Sequence, residues 1–177
     1  MATEELGEWL ATGYGPAYRT AYLILRDRAH AEEAVQEAFL RAWRFRAALP
    51  EGDGMRPWLY RVLVNTCCSK LRHESMHRSR TEAAVRLEAA SWVTSTPEDA
   101  AGRAELAEVV TAALAALPEN LRIPVVLRYY SGLSEREIAV AIRRRPGTVK
   151  SRLHEARRRL AADPRLAAFA TEEEEAQ

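Results

Sequence analysis

Only two cysteines, eight glycines and eight prolines occur among 177 residues. Cys67 and Cys68 are neighbours, and adjacent side chains on a helix point about 100° apart, so no disulfide is expected between them and a disulfide framework is excluded. The scarcity of glycine and proline, set against abundant alanine and arginine, favours helix over sheet. No run approaches the ~18 apolar residues of a membrane span, so none is expected. The N-terminal stretch MATEELGEWLATG opens acidic and has no apolar signal core, which makes the cytoplasm the expected location. There is no phosphate-binding glycine loop, metalloprotease helix, nucleophile elbow or Cys-x-x-Cys. An enzyme, including a thiol switch at Cys67 and Cys68, is therefore not expected. Cys68, His73 and His77 lack a fourth ligand at a zinc spacing, so neither metal nor other cofactor is expected.

What is present is an ordinary charged composition, 47% hydrophobic and 29% charged with a formal net charge of only +1, and one stretch that departs from it. Residues 134–160 carry nine Arg or Lys against three Glu, a surplus of six. Ser134 and Glu137 form a Ser-x-x-Glu capping box, whose side chains satisfy first-turn N–H groups that have no helical partner. Ile138, Ala139 and Ile142 come next at helical spacing. Arg143 to Arg145 make a turn, and Pro146 suits the first position of a second helix. There Val149, Leu153, Ala156 and Leu160 form the buried stripe, leaving Gly147, Lys150, Ser151, His154 and Arg158 on the other side. Two short helices with a basic second member read as a helix-turn-helix whose second helix enters a DNA major groove.

Taken in order, the rest of the chain predicts more helices. A short one over 4–12 is followed by a break at Gly13 to Pro16, and then by one to Leu25 carrying Tyr18, Ala21 and Tyr22. Another spans 29–46 with Ala31, Val35, Ala38, Phe39 and Ala42 inward. Its outer face, Glu32, Glu33, Gln36, Glu37, Arg41 and Arg44, is either a solvated surface or a protein-docking surface, and composition does not choose. After a loop at 49–56, Pro57 opens a third helix with Leu59, Val62, Leu63, Thr66 and Cys67 toward the core. Arg61, Asn65, Cys68 and Arg72 form a second row, with Trp58 at its head. Charge, amide and an aromatic face together suit a single-stranded nucleic acid; the alternative is ordinary surface with Trp58 in the core.

Residues 76–96 read as a linker, with a loose helix over 81–92. It would span roughly 25 Å as a coil and about 70 Å fully stretched. Thr96 and Pro97 cap a further helix with Leu106, Val109, Val110, Ala113, Leu114 and Leu117 inward. Pro118 breaks it, and a helix to about Tyr130 then places Leu121, Val125 and Tyr129 inward before Gly132 ends it. The four glutamates near the C-terminus form a solvated tail, or a DNA mimic laid over the basic helix.

The ordered set AHAEEAVQEAFLRAW, RPWLYRVLVNTCCSKLR, ALAALPENLRIPVVLRYYSGLSEREIA and PGTVKSRLHEARRRL resembles an extracytoplasmic-function (ECF) sigma factor of bacterial RNA polymerase. The resemblance implies an all-α protein of two small helical domains joined by a flexible linker. It implies a region-2 domain at 10–75, a linker at 76–96, a region-4 domain at 97–163 and an acidic tail at 164–177. Implied partners are the polymerase core through its β′ clamp helices and β flap, promoter DNA, and an anti-sigma factor. Glu32, Gln36, Glu37 and Arg41 are implied to bind polymerase. Trp58, Arg61, Asn65 and Arg72, with the loop before them, are implied to open the minus-ten element. Arg145, Thr148, Lys150, Ser151, His154 and Arg158 are implied to read the minus-thirty-five element. The sequence departs from the family pattern in carrying Arg143 in place of a glycine, Arg145 in place of a small polar cap, and Glu155 in place of a basic residue. The alternative is a polymerase-independent helix-turn-helix regulator, which would bind a paired operator as a dimer.

Overall fold

A computed structural model describes residues 3–50, 54–78 and 97–167; the loose helix expected over 81–92, the Thr96 cap and the glutamate run lie outside them. The described residues are helical with no strand. The first unit comprises α1 (Thr3–Leu25), α2 (Arg28–Arg44), a 3-10 turn (Arg46–Ala48) and α3 (Met55–Arg78).

The break expected at Gly13 to Pro16 is not there: α1 runs through it, with Pro16 inside. Proline costs this helix a backbone bond, but extending an existing helix is far easier than nucleating a new one. The turns after Pro16 are held in place by Ala17, Ala21, Ile24 and Leu25, all buried. Arg26 then takes a left-handed conformation at φ 63°. Asp27 caps α2 by accepting the His30 N–H at 2.7 Å. The apolar stripe of α2 is buried as its spacing predicts, at Ala31, Val35, Ala38 and Ala42.

Helix α3 begins two residues before Pro57 and is covered on more than one side. Leu59, Val62, Leu63 and Cys67 face the core as expected, but Tyr60, Val64 and Leu71 are buried as well. α3 packs against α1 and α2 and also against α6 of the second unit.

The second unit comprises α4 (Pro97–Ala116), α5 (Glu119–Val125), a π-helical turn (Val126–Tyr130), α6 (Glu135–Ala141) and α7 (Pro146–Ala161). Only the later part of the α4 stripe is covered: Ala113, Leu114 and Leu117 are buried, whereas Leu106 and Val110 are exposed. Arg122 is buried, and its guanidinium donates to the carbonyls of Ala115 and Leu117 at the C-terminal end of α4. Those carbonyls carry the negative end of the helix dipole, a suitable seat for a cation.

Tyr129 points outward, 60% exposed, against the 121, 125, 129 spacing. The π turn explains it. Ser131 N–H bonds back five residues to Val126, and each residue added to a turn rotates the side chains beyond it by about 100°. Gly132, at φ +66°, closes the segment.

The capping box is complete: Glu137 N–H donates to Ser134 Oγ at 3.3 Å, and Ser134 N–H donates to the Glu137 carboxylate at 2.6 Å. These bonds hold the Glu137 carboxyl below its usual range. The associated stability is therefore present above the unfolded-state pKa and is lost as acid carries the pH down through the folded one.

Between α6 and α7, Arg143 has φ 52°. A side chain in that region costs about 1 kcal/mol relative to glycine. Arg143→Gly is expected to raise stability by ~1 kcal/mol, or a few degrees in Tm. Thermal unfolding checks it; an unchanged or lower Tm counts against strain at this turn.

Candidate nucleic-acid interface

The basic face of α7 is displayed as its sequence dictates. Val149, Leu153 and Ala156 are buried. Opposite them Lys150, Ser151, His154 and Arg158 are exposed, Thr148 is half-buried at the edge, and Arg145 is exposed at the N-cap. Arg145 makes no side-chain capping bond, because a guanidinium has no acceptor to offer the first-turn N–H groups. Ser151 Oγ donates to the Gly147 carbonyl at 3.0 Å, which fixes its direction.

Glu155 is drawn into this face by Arg158, at 2.7 Å, and by Arg159, at 2.8 Å. Hydrogen bonds from Arg159 and then Arg158 hold its carboxyl below the usual range. One carboxylate thus partly neutralises two guanidiniums where an anionic duplex would lie. Glu155→Gln is expected to tighten duplex DNA several-fold and to steepen the salt dependence by about one counterion. Affinity measured across a salt series checks this, and an unchanged slope counts against it.

On α3, Trp58, Arg61, Asn65 and Arg72 fall within an arc of about 60°. Core packing leaves this arc open. Arg72 is exposed, Arg61 and Asn65 are half-buried, and Trp58 rests on the core with part of its ring outside. The row is therefore accessible even though the helix is covered on either side of it. Cys68, at the row's edge, is half-buried, and Cys67 is fully buried. Burial raises both thiol pKa values; for Cys68 the nearby Arg72 opposes that rise and Glu119 of the second unit adds to it. Neither thiol is activated as a nucleophile. Among the described residues, no group of three or more His, Cys, Asp or Glu is placed to hold a metal ion.

A third surface lies on α2. Glu32, Gln36 and Arg41 are exposed and Glu37 is half-buried. Arg41 pairs with Glu37 at 2.7 Å, and Gln36 donates to Glu32 at 3.3 Å. Periodicity reasoning missed the apolar residues interleaved with them. Leu40, Trp43 and Phe45 are 57%, 42% and 58% exposed. The signal was available: Leu40 and Trp43 fall off the 31, 35, 38, 42 stripe, so a helix there had to expose them. Large apolar side chains left exposed in this way make the face a candidate docking surface.

The fold and these faces define a helical DNA-binding protein of two units, with a helix-turn-helix in the second. The Sigma-70 region 2 family matches residues 12–76 and the Sigma-70 region 4 family residues 107–160. The chain is 33% identical over 132 residues to the ECF RNA polymerase sigma-E factor of Escherichia coli K12, covering 71% of this chain and 69% of that one. It is 31% identical over 142 residues to the RNA polymerase sigma-H factor of Pseudomonas aeruginosa, covering 76% and 72%. Among solved structures it resembles the sigma factor RpoE of Bartonella quintana in complex with the anti-sigma factor NepR, with a TM-score of 0.71 at 22% identity over 89% of this chain and 95% of that one. It also resembles CnrH in complex with the cytosolic domain of CnrY, with a TM-score of 0.63 at 22% identity over 91% and 88%. The chain belongs to the ECF sigma factors, and having regions 2 and 4 it is a promoter-specific sigma factor. That family consists of non-catalytic transcription initiation factors. No helix among the described residues is long and apolar enough to cross a membrane.

Proposed function

We propose that this chain binds the RNA polymerase core in the cytoplasm and directs it to promoters, with no catalytic activity of its own. The 97–163 domain reads the duplex minus-thirty-five element through Arg145, Thr148, Lys150, Ser151, His154 and Arg158. The 10–75 domain opens the minus-ten element through the 49–72 loop and helix, with Trp58, Arg61, Asn65 and Arg72 holding an unstacked base and its phosphates. Glu32, Gln36, Glu37 and Arg41 dock on the β′ clamp helices, and the second domain meets the β flap.

The observation that carries this reading is that two cationic helix faces, one suited to a duplex and one to a single strand, occur in one chain beside a separate surface of mixed apolar and charged character. Each DNA contact is modest alone, and tethering both to one enzyme raises their effective concentration. Control by an anti-sigma factor is supported by the similarity to the sigma factor RpoE solved with the anti-sigma factor NepR. Run-off transcription with purified core enzyme tests the whole. Promoter-specific transcripts are expected only when the chain is added. Their absence, together with dimeric binding to a duplex operator, would instead identify a polymerase-independent regulator.

A further inference from the structure

The basic face of α7 carries more positive charge than its surroundings balance, and the same chain carries a block of the opposite sign. Residues 134–160 have a surplus of six positive charges, whereas residues 172–175 are four consecutive glutamates. Arg143, Arg144, Arg145 and Lys150 are exposed and pair with no carboxylate among the described residues. Where a carboxylate is within reach, this surface takes it: Glu155 accepts from Arg159 at 2.8 Å and from Arg158 at 2.7 Å. The chain after α7 offers the glutamates no comparable partner. Arg165, the only Lys or Arg between Ala161 and the run, is committed to Asp163. Its guanidinium donates to the two Asp163 carboxylate oxygens at 2.9 and 2.6 Å, and its backbone N–H to one of them at 3.0 Å. Four adjacent like charges repel one another, and a cationic surface relieves that repulsion.

We propose that Glu172 to Glu175 fold back onto the basic face of α7 in the free chain, in the place a duplex would take. The inference rests on the reading of that face as duplex-binding. The reach is sufficient. Glu172 to Glu175 lie five to eight residues beyond Ala167, the last described residue, which is ~17–29 Å of extended chain. Lys150 is eleven residues before Ala161, the end of α7, or ~17 Å along the helix. The run can therefore lie anywhere from the last turn of α7 back to Lys150.

The charge density also fits. An extended glutamate run carries one negative charge every ~3.3–3.6 Å, close to the ~3.4 Å of axis per phosphate along one strand of B-DNA. Each exposed ion pair is weak alone and screened by salt. The tether compensates, because a segment linked by a few residues acts at millimolar effective concentration. Laying four carboxylates against a surplus of six leaves two positive charges to attract DNA. A face covered in this way gives up nonspecific duplex, whose hold is almost wholly electrostatic. The glutamates yield where tethering to polymerase presents the duplex at a higher effective concentration.

Lys70 and Lys150 are the only lysines in the chain, so a water-soluble carbodiimide, which condenses a carboxylate with an amine touching it, reads the contact directly. In the full-length chain at ~0.1 M salt, peptide mass is expected to show an amide between Lys150 and one of Glu172 to Glu175 within single molecules. At ~1 M salt, where the Debye length is ~3 Å, the yield is expected to fall about fivefold or more. Excess duplex is expected to suppress it as well. The second measurement is affinity for a mixed-sequence duplex of about 25 base pairs. The full chain carrying E172Q/E173Q/E174Q/E175Q is expected to bind about 5- to 20-fold tighter than the parent at ~0.1 M salt, with a steeper salt dependence, because the covered face of the parent has already shed its counterions. Absence of the Lys150 amide, an amide that joins only separate copies, or equal affinity of the two proteins overturns the proposal. If neither protein binds the duplex, the duplex-binding reading of α7 fails instead, and the cross-link still judges where the glutamates lie.

Discussion

Asn65→Ala is expected to slow open-complex formation on a duplex promoter by about 10- to 100-fold while leaving affinity for an isolated minus-thirty-five duplex unchanged. The amide lies within the open arc of α3 between Arg61 and Arg72, half-buried, with Trp58 at the head of the same arc. Taking a base out of its stack costs a few kcal/mol, and the pocket that receives it must return that energy by hydrogen bonding and stacking. If Asn65 bonds the base edge as proposed, its loss removes about 1–3 kcal/mol of the return, which sets the fold-change. Trp58→Ala removes the proposed stacking partner and is expected to act in the same direction. Permanganate footprinting of the melted region reads the outcome. An Asn65→Ala protein that opens promoters at the normal rate removes this residue from the pocket.

On the upstream element, Lys150→Ala and His154→Ala are expected to weaken duplex binding by about 5- to 100-fold, for different reasons. Both side chains are exposed on the face of α7 opposite Val149, Leu153 and Ala156. A lysine facing phosphates contributes through counterion release, so its loss lowers affinity across sequences and reduces the salt slope by about one. A side chain at a base edge contributes discrimination, so its loss relaxes preference at one position. Binding to wild-type and single-substitution duplexes over a range of salt separates the two. Equal behaviour of both variants toward every duplex would show that α7 does not read sequence. Neither substitution touches the buried stripe, so thermal stability is expected to stay within ~0.5 kcal/mol of the parent.

The candidate site was legible to unequal degrees. The α7 face came from spacing alone, because a helix whose 149, 153, 156 stripe is buried has no choice about where Lys150 and His154 go. Accessibility of the α3 row could not be settled that way. Tyr60, Val64 and Leu71 form a second apolar sector on α3, and only the arrival of α6 shows that this sector is covered while Asn65 is not. Arg143 was marked by the resemblance as a departure from glycine, and the structure gives its cost as a left-handed backbone. Glu155, the other departure, proves to be a partner for two arginines. Leu40, Trp43 and Phe45 are visible in the sequence yet easily passed over, since a search for stripes attends to what is buried.

By itself the sequence determined the helical class, the capping box at Ser134 and Glu137, the buried stripes of α2 and α7, and the concentration of positive charge after residue 134. Each depends on residues within a turn or two of one another, where backbone satisfaction and periodicity act directly. Tertiary structure decided that α1 continues through Pro16, that Tyr129 turns outward after a π turn, and that α3 packs against α6 of the second unit. Those outcomes depend on which distant surfaces bury one another, and a local pattern carries no record of the surface that will come to cover it.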